Sequence, residues 1–212
     1  MLFIFDWDGT LSNSTAKIIR SMQRAADELA LPVPSDEDVK NIIGLGLPEA
    51  IQVLFPDRYD ADLSRLRAAY ADHYLKDQEA DPPFFPGVED TLHFLRDQGH
   101  HLAVATGKSR KGLDRVLKSL KLEKFFHGSR CADETASKPH PLMLMQLVEQ
   151  FGVPAAECVM VGDTEYDMDM ARRAAMPRIA VSYGAHHIER LRPFEPELCL
   201  DHFPQILSWR CE

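Results

Sequence analysis

The chain has 212 residues, 45% of them hydrophobic and 27% charged, enough for a sizeable core and too apolar for a disordered protein. Its 24 basic and 33 acidic residues give a formal charge of -9, and no block of Lys and Arg interrupts that acidity, so no nucleic-acid partner is expected. The four cysteines, Cys131, Cys158, Cys199 and Cys211, form no Cys-x-x-Cys pair, which argues against a disulfide framework or zinc site and fits a reducing cytoplasm.

Residues 2–5 are a continuous apolar run without alternation, the pattern of a parallel strand covered on both faces. The run stops at Asp6, too early for a signal peptide, and no apolar stretch reaches membrane-spanning length, so a cytoplasmic protein without a membrane partner is expected. Residues 14 to 81 contain no strand-like run. Helical patterns occupy 14–30 and 63–77, and Gly44-Leu45-Gly46 breaks the helices between them. Polar Ser12-Asn13-Ser14 and Asp81-Pro82-Pro83 bracket this insertion like hinges. Asn13 is a good helix-capping residue.

Beyond the insertion, strands and helices alternate. A helix is predicted over 88–98, ending at Gly99, and a strand over 101–105. Another helix spans 109–121, and a third runs from Pro139 to Phe151 and stops at Gly152. Strands follow at 158–161 and 178–181. This order predicts right-handed crossovers and an α/β fold: a doubly wound, Rossmann-like parallel sheet with a small inserted helical cap. The core is assigned to residues 1–13 and 82–212, and the cap to 14–81.

Ligands of such sheets bind outside the carboxyl ends of the strands. Polar residues fall at those places. Asp6 and Asp8 follow the first strand, Thr106 and Lys108 the second, Asp163 and Asp167 the strand at 158–161, and Lys138 precedes the Pro139 helix. Carboxylates converging on one point need a cation, and an oxygen-rich set suits Mg²⁺. Each cluster alone has an ordinary reading. Asp-x-Asp at a strand end is usually a loop feature, and Asp167 is also a first-turn helix carboxylate favoured by the dipole. Lys138 sits near a helix start, where cations are disfavoured, so it calls for another reason. Lys108 has two open readings, a solvated helix-start residue or a phosphate contact.

Asp6-Trp7-Asp8-Gly9-Thr10, Thr106, Lys138-Pro139 and Gly162-Asp163-Thr164-Glu165-Tyr166-Asp167 resemble, in order, the four motifs of the haloacid dehalogenase superfamily, closest to its phosphoglycolate phosphatase branch. The resemblance implies a Mg²⁺-dependent phosphatase acting on a small phosphorylated metabolite. It makes Asp6 the nucleophile and Asp8 the general acid and base. Gly9, Thr106, Gly107 and Lys138 would bind the phosphoryl group, with Lys138 also orienting Asp6. The metal would take the Asp6 carboxylate, the Asp8 main-chain carbonyl and Asp163. Asp167 would stand behind them, holding metal-bound water or Lys138.

Asn13 departs from the Asp frequent in relatives, and Trp7 replaces a more usual Leu, pointing away from the aspartates by strand alternation. The Gly44–Leu47 loop would reach the site. His100-His101 and His186-His187 lack metal-ligand spacing and are expected at the surface. Asp133 and Glu134 read as a loop carboxylate pair. Two alternatives stay open: a sugar-phosphate mutase of the β-phosphoglucomutase type, which returns the phosphoryl group to sugar, and a non-catalytic module on the same fold.

Overall fold

A computed structural model describes residues 1–76 and 82–209. Asp77, Asp81 and Cys211, named above in the second cap helix, the second hinge and the cysteine count, lie outside the described residues.

Six strands form one parallel sheet: β1 (Leu2–Phe5), β2 (His101–Thr106), β3 (Gly128–Cys131), β4 (Cys158–Gly162), β5 (Arg178–Val181) and β6 (Leu198–Leu200). Their order is β3-β2-β1-β4-β5-β6, with β1 paired in parallel to β2 and β4. The chain direction across the sheet reverses between β1 and β4, so their carboxyl ends open a crevice.

Alternation sorts the strands' side chains onto two cores. Phe3, Phe5, Leu102, Val104, Val159 and Val161 face one side, and Leu2, Ile4, Ala103, Ala105, Cys158 and Met160 the other. On the first side lie α5 (Val88–Asp97), α6 (Arg110–Ser119) and the turn Phe203–Ser208. On the second lie α7 (Leu142–Phe151) and α8 (Glu165–Arg173). Both faces being dry explains why the central strands lack polar alternation. Burying a side chain such as Phe5 contributes about 1.5–3 kcal/mol.

Among the described residues, the insertion that follows β1 holds four helices: α1 (Thr15–Glu28), α2 (Asp36–Ile42), α3 (Leu47–Leu54) and α4 (Asp60–Lys76). They bury an apolar cluster of their own, including Ile18, Met22, Ile42, Ile43 and Leu66. No helix of the described residues is long and apolar enough to cross a membrane.

Several expectations need correction. α7 begins at Leu142, not Pro139, because His140 precedes Pro141 and a residue before proline is disfavoured in the helical region. The residue that opens α1 is Ser14, and Asn13 is exposed rather than capping. His186 is buried, while His187 is exposed. Trp7 does point away from the aspartates, packing on Phe84 and Phe126 at centroid distances of 5.7 and 6.1 Å.

Candidate active site

β1 delivers Asp6 and, past Trp7, Asp8 to the crevice. The turn continues through Gly9, whose φ of +83° and contact with Asp163 leave no room for a Cβ. Thr10 Oγ1 then donates to Asp163 Oδ1 at 2.7 Å, although 153 residues separate the two. The Ala185 N–H donates to Asp163 Oδ2 at 2.7 Å, and Gly184 presses on the same carboxylate so closely that a side chain there would overlap it. Asp163 is thereby fixed from both strand ends.

Asp167 is held by a capping box. Thr164 N–H and Oγ1 donate to Asp167 Oδ2 at 3.1 and 2.6 Å at the start of α8. Its other oxygen accepts from Lys138 Nζ at 2.6 Å, and the same ammonium donates to Asp6 Oδ1 at 2.6 Å. Lys138, Asp6 and Asp167 are all buried. Burial works against the Lys138 ammonium, but the Asp167 and Asp6 carboxylates outweigh it and hold the lysine above its ordinary value.

Carboxylate oxygens of Asp6, Asp163 and Asp167 lie within 4.8 Å of one another. Burial raises the Asp6 carboxyl well above the usual carboxylate range, with Lys138 opposing and Asp167 and Asp163 adding to the rise. Burial, reinforced by Asp167, pushes Asp163 up to about 7. Three carboxylates thus face one ammonium. Asp6 Oδ2 is buried with no hydrogen-bond partner among the described residues. An orphaned carboxylate oxygen in an excess of negative charge fits a hard divalent cation. Both oxygens of Asp163 and of Asp167 already accept hydrogen bonds, so the unpartnered Oδ2 of Asp6 is the donor that stands out.

Asp8 is held differently. Ser14 Oγ donates to its Oδ1 at 2.6 Å, and Lys108 Nζ reaches the same oxygen at 2.9 Å. Lys108 in turn lies 5.2 Å from the centre of the Tyr74 ring. Burial disfavours the Lys108 charge, yet Asp8, then Tyr74 and Tyr70, keep the ammonium above its usual value. Thr106 ends β2, buried, and its Oγ1 accepts the Lys108 main-chain N–H at 3.2 Å. Gly107 abuts the carbonyls of Gly44 and Leu45, so the loop between α2 and α3 rests on the loop after β2. Gly46 N–H also donates to Ser137 Oγ at 2.8 Å, beside Lys138.

The structure therefore brings Asp6, Asp163, Asp167 and Lys138 into one buried cluster. Asp8, Gly107 and Lys108 sit at the mouth, where together with Asp6 they line a cavity of about 260 Å³ shared with the helical insertion. Asp133 and Glu134 lie apart. Asp133 accepts the Arg110 N–H at 2.8 Å, and Glu134 grips the Arg110 guanidinium at 2.7 and 2.9 Å, anchoring the start of α6. Sequence reasoning missed Ser14, Tyr74 and the Gly184–Ala185 turn. Ser14 belongs to the polar hinge Ser12-Asn13-Ser14 and carried a faint signal; the other two carried none.

A doubly wound sheet with a buried carboxylate–lysine cluster at the carboxyl ends of β1 and β4, under a helical insertion, defines a hydrolase of one superfamily. The chain belongs to the haloacid dehalogenase-like hydrolases, whose family model matches residues 3–181. It is 34% identical over 213 residues to the protein named "Probable phosphatase IndB" of Dickeya dadantii (strain 3937), covering 98% of this chain and 92% of that one. It is 29% identical over 215 residues to the phosphoglycolate phosphatase of Aliivibrio fischeri, covering 98% and 95%. The crystal structure of a predicted phosphoglycolate phosphatase from Haemophilus somnus 129PT superposes with a TM-score of 0.88 at 25% identity, covering 98% of this chain and 96% of that one.

Proposed function

We propose that the protein is a Mg²⁺-dependent phosphoric monoester hydrolase that passes the phosphoryl group of a small, phosphoglycolate-like metabolite through Asp6. The observation that carries this reading is the Asp6 carboxylate, with one oxygen on Lys138 and the other buried without a partner among the described residues. The names of the relatives in Dickeya and Aliivibrio support the same reading.

Asp6 attacks phosphorus in line, its new O–P bond forming as the bond to the alcohol oxygen breaks. Lys138 and Thr106, with the turns at Gly9 and Gly107, bind the phosphoryl oxygens, and Lys138 keeps the attacking carboxylate aimed. Asp8 gives its proton to the leaving alcohol, then takes one from the water that hydrolyses the aspartyl-phosphate. The Asp6 and Asp163 carboxylates and the Asp8 main-chain carbonyl would hold Mg²⁺, which would supply positive charge to the phosphoryl oxygens. Asp167 keeps Lys138 in place.

Purified protein with Mg²⁺, given a panel of phosphorylated metabolites including phosphoglycolate, is expected to release inorganic phosphate. A mutase would isomerise a sugar phosphate without releasing it. A module without activity would do neither. Either of those outcomes would sink the reading.

A further inference from the structure

Asp8 has to keep one place through two proton transfers, and two donors hold it there. Ser14 Oγ and Lys108 Nζ both reach its Oδ1, at 2.6 and 2.9 Å, one from the hinge before α1 and the other from the loop after β2. Lys108 is itself aimed. Its main-chain N–H donates to Thr106 Oγ1 at 3.2 Å, and its carbonyl accepts the Ala132 N–H at 3.2 Å, so its backbone is pinned between the ends of β2 and β3. Its side chain is only 13% exposed, and the ammonium lies 5.2 Å from the centre of the Tyr74 ring of α4. A long side chain held at both ends gives up its rotamer freedom on folding rather than at the moment of reaction.

The choice of oxygen has a chemical consequence. An ammonium on Oδ1 needs only a lone pair there, so it donates to the carboxylate and to the carboxylic acid alike when the acid's proton sits on Oδ2. The contact thus survives the step in which Asp8 gives up a proton and the step in which it takes one. Two donors on Oδ1 also keep the proton off that oxygen. Building on the phosphatase reading above, we infer that Lys108 is a positioning residue for Asp8, fixing Oδ1 and directing the transferable proton to Oδ2, rather than a contact of the phosphoryl group.

Lys108→Met keeps most of the stem and removes the charge and the donor. The test ester is phosphoglycolate, or whichever alkyl phosphate of the metabolite panel is turned over faster. At saturating ester, single-turnover formation of the aspartyl-phosphate is expected to slow about tenfold, a part of what a general acid supplies. Formation from p-nitrophenyl phosphate, whose leaving group needs no proton, is expected to change little, while hydrolysis of the intermediate slows for both esters. In an Asp8→Asn background the same change is expected to cost nothing further, because the residue it serves is gone. Circular dichroism checks folding, and Lys108→Gln, shorter and uncharged, takes the same test should the methionine variant not fold. Equal slowing of formation with the two esters, a raised KM with the saturated rate unchanged, or a full further loss in the Asp8→Asn background would overturn the inference and leave the phosphatase reading standing. No phosphate release from any phosphomonoester would remove that reading and this inference with it.

Discussion

Lys138 Nζ lies 2.6 Å from Asp6 Oδ1, a contact 132 residues long in sequence, and Asp6 Oδ2 stays buried with no hydrogen-bond partner among the described residues. A carboxylate left half-satisfied in a buried site is costly for stability and useful for chemistry. Asp6→Asn keeps the volume and the lysine contact but removes the attacking oxygen's charge. Turnover is expected to fall to background. The melting temperature without metal is expected to hold or rise, because one of three mutually repelling carboxylates is gone. Phosphate release by the purified variant, well above a mock purification, would reject the nucleophile.

Metal dependence follows from the same cluster. Three carboxylates within 4.8 Å of one another are balanced by one ammonium, so a divalent cation should bind the folded state and raise its stability. EDTA is expected to abolish activity and Mg²⁺ to restore it. Ca²⁺ should inhibit, because the larger ion accepts bidentate carboxylates and would engage the attacking oxygen. Mg²⁺ should also raise the melting temperature of the wild type more than that of Asp163→Asn. Equal rates with Ca²⁺ and Mg²⁺, or equal thermal shifts in the two proteins, would contradict the arrangement.

The central strands were legible because burial on both faces removes alternation, and Phe3 to Phe5 and Val159 to Val161 have no polar residue to blur the pattern. β3 and β6 were not. Gly128-Ser129-Arg130-Cys131 and Leu198-Cys199-Leu200 are edge strands, short and half exposed, with too little apolar character to stand out. Within the site, the motif positions were readable because they sit at strand ends and a capping box, which are local events. The grip of Lys108 on Asp8 and the approach of Gly184 to Asp163 are long-range packing that no local period encodes.

His186 was expected at the surface and is instead buried behind the site. Its Nδ1 accepts the Glu165 N–H at 3.2 Å, and its ring meets Tyr166 edge-on at 5.5 Å. Burial, then the Arg190 charge, lowers its pKa below the ordinary 6.5, with Glu165 offsetting part of the effect. A depressed histidine pKa means that the unfolded chain binds the proton more readily. Its contribution to stability is therefore present above pH 6.5 and is lost as pH falls through the lower folded value. His186→Asn keeps an acceptor for the Glu165 N–H and cannot titrate. Between pH 7.5 and 5.5 the wild type is expected to lose more unfolding free energy in urea than the variant does. The difference is at most about 1.4 kcal/mol per pH unit. The raised carboxyl of Asp163 acts in the opposite sense but is common to both proteins. Parallel pH profiles would show that His186 does not sense this range.

Asp8 separates chemistry from binding. Ser14 Oγ and Lys108 Nζ both contact its Oδ1, at 2.6 and 2.9 Å, which fixes the carboxyl group through one oxygen. An acid in this position protonates a poor alkoxide as it leaves, then deprotonates water for the second step. Asp8→Asn can do neither. With an alkyl phosphate the variant is expected to lose on the order of 10²-fold or more in rate, about 2.7 kcal/mol of barrier. The leaving group of p-nitrophenyl phosphate is stable without a proton, so formation of the aspartyl-phosphate should suffer much less there. Hydrolysis of that intermediate still needs a base, and a mass increase of one phosphoryl group on Asp6 is the expected sign of its accumulation. Single-turnover kinetics on the two esters decide the matter. If formation slows equally for both, Asp8 is not the acid, and its contacts with Ser14 and Lys108 serve only to shape the mouth of the site.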